Sequence, residues 1–321
     1  MLKKFFSISF VVLLLCCCSR ELEELPATIS RCADMPVART SAMAWSLNGK
    51  GYVFGGRDAQ RKLCNDVWAY SPQEDMWEKV CDAPIHARVN GVAIAVGETV
   101  YIGLGFNGGA YQTTAYLQDW WAFSVADTSW TQLASYPNAN TVGAIAYAEG
   151  NKIYCIHGFG TGFTADVLCY DIATDTWTSI DRPNRRDEMA MAGAGASLNG
   201  RHFYGTGYNT RSLDYWYEIT DFAHWQKCTN VPHSRENAVC AASGKYIYLA
   251  GGRHFGGVLT DGKVFDDILR YDILSDQWTL AGHTEEKAEN RIAFTIGNAA
   301  YIGLGENEKE VVVSSLYRIE D

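Results

Sequence analysis

The sequence predicts an all-β protein, a six-bladed β-propeller of four-stranded antiparallel blades whose ring is closed by an N-terminal strand. Three observations predict it. An aromatic residue followed four positions later by glycine recurs six times along the 321 residues. Between these marks an aromatic residue is followed seven positions later by Trp. No stretch carries the 3.6-residue apolar period of an amphipathic helix. Composition agrees: aromatics reach 13%, with 30 glycines and only 7 prolines, which suits strands joined by many tight turns.

The glycine marks begin at Tyr52, Tyr101, Tyr154, Phe203, Tyr248 and Tyr301, and end at Gly56, Gly105, Gly158, Gly207, Gly252 and Gly305. Their spacings are 49, 53, 49, 45 and 53 residues. The aromatic/Trp pairs are Tyr70/Trp77, Phe123/Trp130, Tyr170/Trp177 and Tyr271/Trp278, with Ile219/Trp225 one residue short. An Asp precedes four of the aromatics by four positions, at Asp66, Asp119, Asp166 and Asp267. Each unit reads as an Ala/Gly-rich inner strand (residues 91–96, for example), the glycine-marked strand, the Asp-led strand and the Trp strand. A four-stranded sheet cannot bury both faces alone. Radial stacking solves this and leaves only short edges. Small inner-strand residues suit the crowded axis, and the Trp residues fill the space where blades splay apart.

On these residues the chain resembles a kelch-repeat β-propeller. The Gly55-Gly56 and Gly251-Gly252 doublets, the Tyr/Trp pairs and the period near 50 carry the resemblance, over residues 28–321. Four repeats depart from the doublet, with Leu104, His157, Thr206 and Leu304 in its first position. The last repeat ends after its third strand, at residues 315–319. Residues 29–36 resemble the fourth strand of the first unit (77–84), and residues 27–36 are expected to complete the sixth blade and cover its edge.

Met1 to Lys4 is a basic leader and residues 5–15 an apolar run, too short to span a membrane and suited to a signal peptide. Cys16-Cys17-Cys18 and an acidic stretch follow. This resembles the lipobox of bacterial lipoproteins, with Cys18 or Cys17 better placed for lipidation than Cys16. The expected organisation is a signal peptide at 1–17, a lipid-anchored tether at 18–26 with Cys18 lipidated, and one propeller at 27–321. The expected location is the bacterial cell envelope, periplasmic or on the outer-membrane surface, with the membrane met only through the lipid. Losing Lys3 and Lys4 takes the formal charge from −10 to −12. Such an acidic chain is no general nucleic-acid binder. Seven cysteines remain at irregular spacing with no CxxC pair, which argues against a disulfide framework or zinc ribbon. Cys155 and Cys169 fall on neighbouring strands and could pair; most thiols are expected to be free and buried.

Two loop sets share one face of a propeller: those after the glycine marks and those entering each inner strand. The second set contains Arg39, Arg88, Arg185-Arg186, Arg235 and Arg291, which suggests an arginine in five of six blades, converging on the axial mouth. The first set contributes Arg57, Arg211, Arg253 and His254. Guanidinium groups clamp carboxylates, and a basic funnel focuses field on an anion. The candidate ligand residues are therefore Arg39, Arg57, Arg88, Arg186, Arg211, Arg235, Arg253, His254 and Arg291, with Glu188 and Glu236 as candidate acid/base groups. A competing reading has several arginines tying the fold together through Asp or backbone carbonyls. Loops 106–118 and 253–266 are the longest and face each other across the ring, with Tyr111, Tyr116, Phe255 and Phe265 available for stacking. No metal or cofactor is expected.

These residues point to an exported propeller that binds an acidic sugar, glycan or carboxylate-bearing peptide at its mouth. The kelch family includes bacterial sialic-acid mutarotases of similar size and export, so the resemblance implies a second reading, a mutarotase or epimerase acting on sialic acid. A protein–protein scaffold is a third. A copper oxidase of the kelch type needs more His and Tyr around a metal than seven histidines allow.

Overall fold

The computed structural model describes residues 22–108, 115–139, 141–182, 190–257 and 262–321. Six four-stranded antiparallel sheets form the blades. Each runs outward from a short axial strand: Met43–Leu47, Val92–Val96, Ile145–Glu149, Ala194–Leu198, Val239–Ser243 and Ile292–Ile296. The sixth blade takes its outer strand from the N-terminus. Thr28–Cys32 pairs with Leu316–Glu320, Ile29 opposite Ile319 and Cys32 opposite Leu316. The sequence expectation for ring closure therefore holds. The expected tether is partly docked: Leu25 N–H donates to the Leu280 carbonyl and Leu280 N–H to the Glu23 carbonyl, so residues 23–25 run along the outer strand of the fifth blade.

Two closed rings of backbone hydrogen bonds join the blades. In the first, the N–H of the second glycine of each mark donates to a carbonyl on the next blade: Gly56 to Arg88, Gly105 to Thr141, Gly158 to Ala190, Gly207 to Arg235, Gly252 to Ala288 and Gly305 to Arg39, at 2.8–3.2 Å. In the second, Asn90 donates to Ser41, Gly143 to Asn90, Ala192 to Gly143, Asn237 to Ala192, Asn290 to Asn237, and Ser41 back to Asn290, at 2.8–3.2 Å. All six of these axial residues have φ between 52° and 67°.

The first ring explains the glycine. At Gly207, φ is 100° and an added Cβ would stand 2.7 Å from the Met191 carbonyl oxygen; at Gly105 the corresponding distance to Val89 is 2.5 Å. The first position of the mark is also left-handed, at φ 55–59° for Leu304, Thr206, Leu104 and His157, but it tolerates a side chain.

Aromatic side chains lock alternate seams. The hydroxyls of Tyr70, Tyr170 and Tyr271 donate to Asp75, Asp175 and Asp276 at 2.7–2.8 Å. These carboxylates accept the N–H groups of Ala33, Ala134 and Thr229 on the preceding blade. The indole N–H groups of Trp77, Trp177 and Trp278 donate to the carbonyls of the same three residues. All five repeat tryptophans, including Trp130 and Trp225, pack in the inter-blade core. Each buries on the order of 200 Å². The seven described cysteines are free, and Cys155 lies opposite Leu168 rather than Cys169.

Adjacent substitutions should separate the two positions of the mark. Gly207→Ala is expected to cost about 3 kcal/mol in chemical denaturation, through steric overlap and strain. Thr206→Gly should be neutral or slightly stabilising, because it relieves a left-handed β-branched residue whose buried hydroxyl has no partner.

Candidate functional site: the axial mouth

One rung per blade surrounds the mouth. The residue before each axial-ring residue pairs with the residue after the glycine mark: Thr40 with Arg57, Val89 with Phe106, Val142 with Phe159, Met191 with Tyr208, Glu236 with Arg253, and Glu289 with Glu306. Three consecutive blades, the second to fourth, thus present apolar and aromatic rungs, and the other three present polar and charged ones. Six-fold geometry sets these halves across the axis from one another. The aromatic half continues through Phe106–Tyr116, Phe159–Phe163, Phe163–Tyr208 and Tyr208–Phe255 ring contacts at 5.2–6.0 Å. Between the halves lies an axial cavity of about 220 Å³, its polar lining supplied by Ser41, Asn90, Asn237, Asn290 and Arg291.

The expected arginine funnel is not there. Arg39, Arg88 and Arg235 are 0% exposed. Each grips the Asp at, or for Asp119 immediately before, the start of the third strand of its own blade: Arg39 with Asp66 at 2.9 and 3.3 Å, Arg88 with Asp119 at 2.8 and 2.7 Å, Arg235 with Asp267 at 2.6 and 2.9 Å. Each also donates to two carbonyls, one of them from the glycine-mark turn (Gly55, Leu104, Gly251). Burial works against ionised Asp66 and Asp119, but the guanidinium partners win and hold both carboxyls below their ordinary range. With their donors committed, these arginines hold the fold and have nothing left for a ligand.

Arg291 is also buried and lies three residues past the clamp position, which Ala288 occupies in the sixth blade. Its guanidinium donates to the Leu304 and Glu286 carbonyls and to Thr284. Arg186 and Glu188, with Tyr111, lie outside the described residues. Phe265 is buried beneath Arg235, whose guanidinium carbon is 4.0 Å from the ring centroid. Burial also depresses the His157 imidazole to about 3, so it is neutral. Among the described residues no group of three His, Cys, Asp or Glu side chains is arranged for a metal.

Arg253 is different. Its side chain is 43% exposed, and only Nε is engaged, 3.0 Å from Glu236 and 3.5 Å from Glu289. The two terminal nitrogens make no hydrogen bond to any described residue. Glu236 is fixed in turn by the Ser212 hydroxyl at 2.7 Å, and the same hydroxyl accepts the Phe255 N–H. Asn237 and Asn290, both in the axial ring, donate to Glu289 at 2.6 and 3.4 Å. Burial pushes the Glu289 carboxyl up, although Arg253 and Asn237 oppose it. The sequence candidates Arg253 and Glu236 therefore come together beside the axis. His254 faces Ser234, 3.0 Å away, and Arg211 pairs with Tyr215.

Comparison with known proteins agrees with the repeat architecture. A model of the KLHDC2/KLHL20/DRC7 Kelch-repeats domain matches residues 18–207, and the Kelch motif matches residues 234–282. The chain belongs to the kelch-repeat family. This kelch chain is 30% identical over 142 residues to Kelch-like protein 25 of Xenopus tropicalis, covering 44% of the chain and 23% of that protein. It is 24% identical to Kelch-like protein terF of Aspergillus terreus, covering 70% of the chain and 51% of that protein. It thus spans about a quarter and about half of their lengths. It is 21% identical to N-acetylneuraminate epimerase of Salmonella typhi, covering 68% of the chain and 73% of the enzyme. The solved structure of YjhT superposes with a TM-score of 0.75 at 15% identity, over 90% of this chain and 99% of that one, which shows the shared fold.

Sequence reading missed Glu289, Asn237, Asn290 and Ser212 in this kelch mouth. The signal was present: Glu236 and Glu289 occupy the same repeat position, each 16 residues before the second glycine of its mark, Gly252 and Gly305. Aligning on arginine instead of glycine concealed it.

Stability should sort the arginines. Arg88→Ala strands a half-buried Asp119 and is expected to cost about 3–5 kcal/mol in urea unfolding. Exposed Arg211→Ala should stay within about 0.5 kcal/mol.

Proposed function

We propose that this kelch propeller is an exported, lipid-anchored protein of the bacterial cell envelope whose mouth holds an acidic sugar, its carboxylate on Arg253. One observation carries the reading: a guanidinium anchored through Nε by Glu236 and Glu289 while its terminal nitrogens stay uncommitted. That edge suits a bidentate carboxylate. The aromatic half opposite offers stacking surface for a sugar's apolar face. The distant relative named N-acetylneuraminate epimerase, an enzyme of an acidic sugar, supports the same ligand class.

A second reading, anomer exchange of that sugar, is favoured by Glu289. A carboxyl raised by burial retains a proton nearer neutrality and can pass it to a ring oxygen. The anomeric hydroxyl gives its proton to water as the ring C–O bond opens to the carbonyl form, and reclosure on the other face returns a proton from water to that oxygen and the ring-oxygen proton to Glu289.

Calorimetric titration tests the binding. N-acetylneuraminate should bind and neutral sugars should not, and Arg253→Ala should weaken the acid at least tenfold. Ionised Glu289 competes for Arg253 and repels the ligand, so affinity should rise as pH falls through the raised Glu289 titration. Absence of binding by any acidic sugar, sialic or uronic, contradicts the proposal.

A further inference from the structure

The first blade's rung holds a cation that pairs with no carboxylate among the described residues. Arg57 stands opposite Thr40 in a two-residue ladder. Its Nε is sealed from solvent without a partner, and its side chain hydrogen-bonds to none of the described residues. Thr40 is 4% exposed, and its hydroxyl likewise has no partner. Nearby carboxylates are committed elsewhere. Asp58 accepts the N–H groups of Gln60 and Lys62, both at 2.9 Å. Glu306 is taken by both terminal nitrogens of Arg61, at 2.6 and 3.0 Å. Asp66 belongs to Arg39. Shielded, unpaired polar groups are costly, and native proteins seldom leave them without a partner.

We infer that Arg57 and Thr40 form a second anion subsite, and that the mouth takes a ligand with two anionic groups, as an oligosaccharide of acidic sugars has. An oxyanion accepts from the guanidinium and from the threonine hydroxyl together. The sixth blade separates this subsite from Arg253, and its rung is Glu289 with Glu306. Both carboxyl groups of that rung already hold guanidinium groups, Glu306 that of Arg61 and Glu289 that of Arg253, so nothing between the two subsites accepts a ligand carboxylate. A ligand whose two carboxylates belong to successive sugars places one on each side of it. The inference rests on the reading that Arg253 holds an acidic sugar, and it adds the ligand's length and charge.

The test compares N-acetylneuraminate with its α2,8-linked dimer by calorimetry, on wild type and Arg57→Ala. Arg57 makes no bond to described residues, so the variant should melt no lower than wild type; Arg57→Gln serves as a second check that keeps a polar side chain and removes the charge. The wild type is expected to bind the dimer at least tenfold tighter than the monomer, and both variants should bring that ratio within threefold. A dimer that binds no tighter, a ratio that survives both variants, or inorganic phosphate at Arg57 without any gain for the dimer overturns the inference while leaving the Arg253 reading intact. Failure of both sugars to bind removes the two readings together.

Discussion

The structure depends on the N–H of the second glycine in each mark reaching across to the next blade's carbonyl. A single such bond contributes about 1 kcal/mol net. Its position matters more than its strength. The left-handed turn that aims the N–H leaves no space for a Cβ, and the bond sets the height at which each rung meets its neighbour. Because the series closes from Gly305 to Arg39, and the axial series from Ser41 to Asn290, every blade needs both neighbours. The N-terminal strand is therefore part of the ring, since it gives the sixth blade the outer edge on which Trp77 and Asp75 dock.

The same constraint decides which arginines are available. At the residue whose carbonyl receives the glycine bond, an inward side chain meets the start of the third strand, and three blades fill that space with an Arg–Asp pair. Buried pairs of this kind are expensive to break and make no net charge at the mouth. The third blade dispenses with the clamp, Asn138 donating to Asp166 at 2.7 Å, and the sixth uses Arg291 on backbone carbonyls. The charge left for the mouth comes from the next residues along, Arg57, Glu236, Arg253, Glu289 and Glu306. The mouth is thus divided into charged and aromatic halves instead of being uniformly basic.

Much of the fold was legible because it repeats. Six glycine marks gave the blade count, and the likeness of residues 29–36 to 77–84 gave the closure. Leu104 and Thr206, which replace glycine, adopt the left-handed turn of Gly55. The site was less legible because it lies in departures from the repeat. Arg291 looked equivalent to Arg39 by nearness to the inner strand, yet hydrogen bonding shows Ala288 in that place. Burial of Arg39, Arg88 and Arg235 follows from a partner 27, 31 and 32 residues away, a pairing that the recurring Asp hinted at without specifying. Glu289 became visible only when Asn237 and Arg253 were seen to converge on it.

The most direct test of this account is a crystal structure of the protein grown with an acidic sugar. The account predicts the sugar carboxylate on the terminal nitrogens of Arg253, the ring's apolar face toward Phe159 and Tyr208, and Arg39, Arg88 and Arg235 still clamped to their aspartates. A sugar bound away from this mouth, or one held by a clamp arginine released from its Asp, would contradict it.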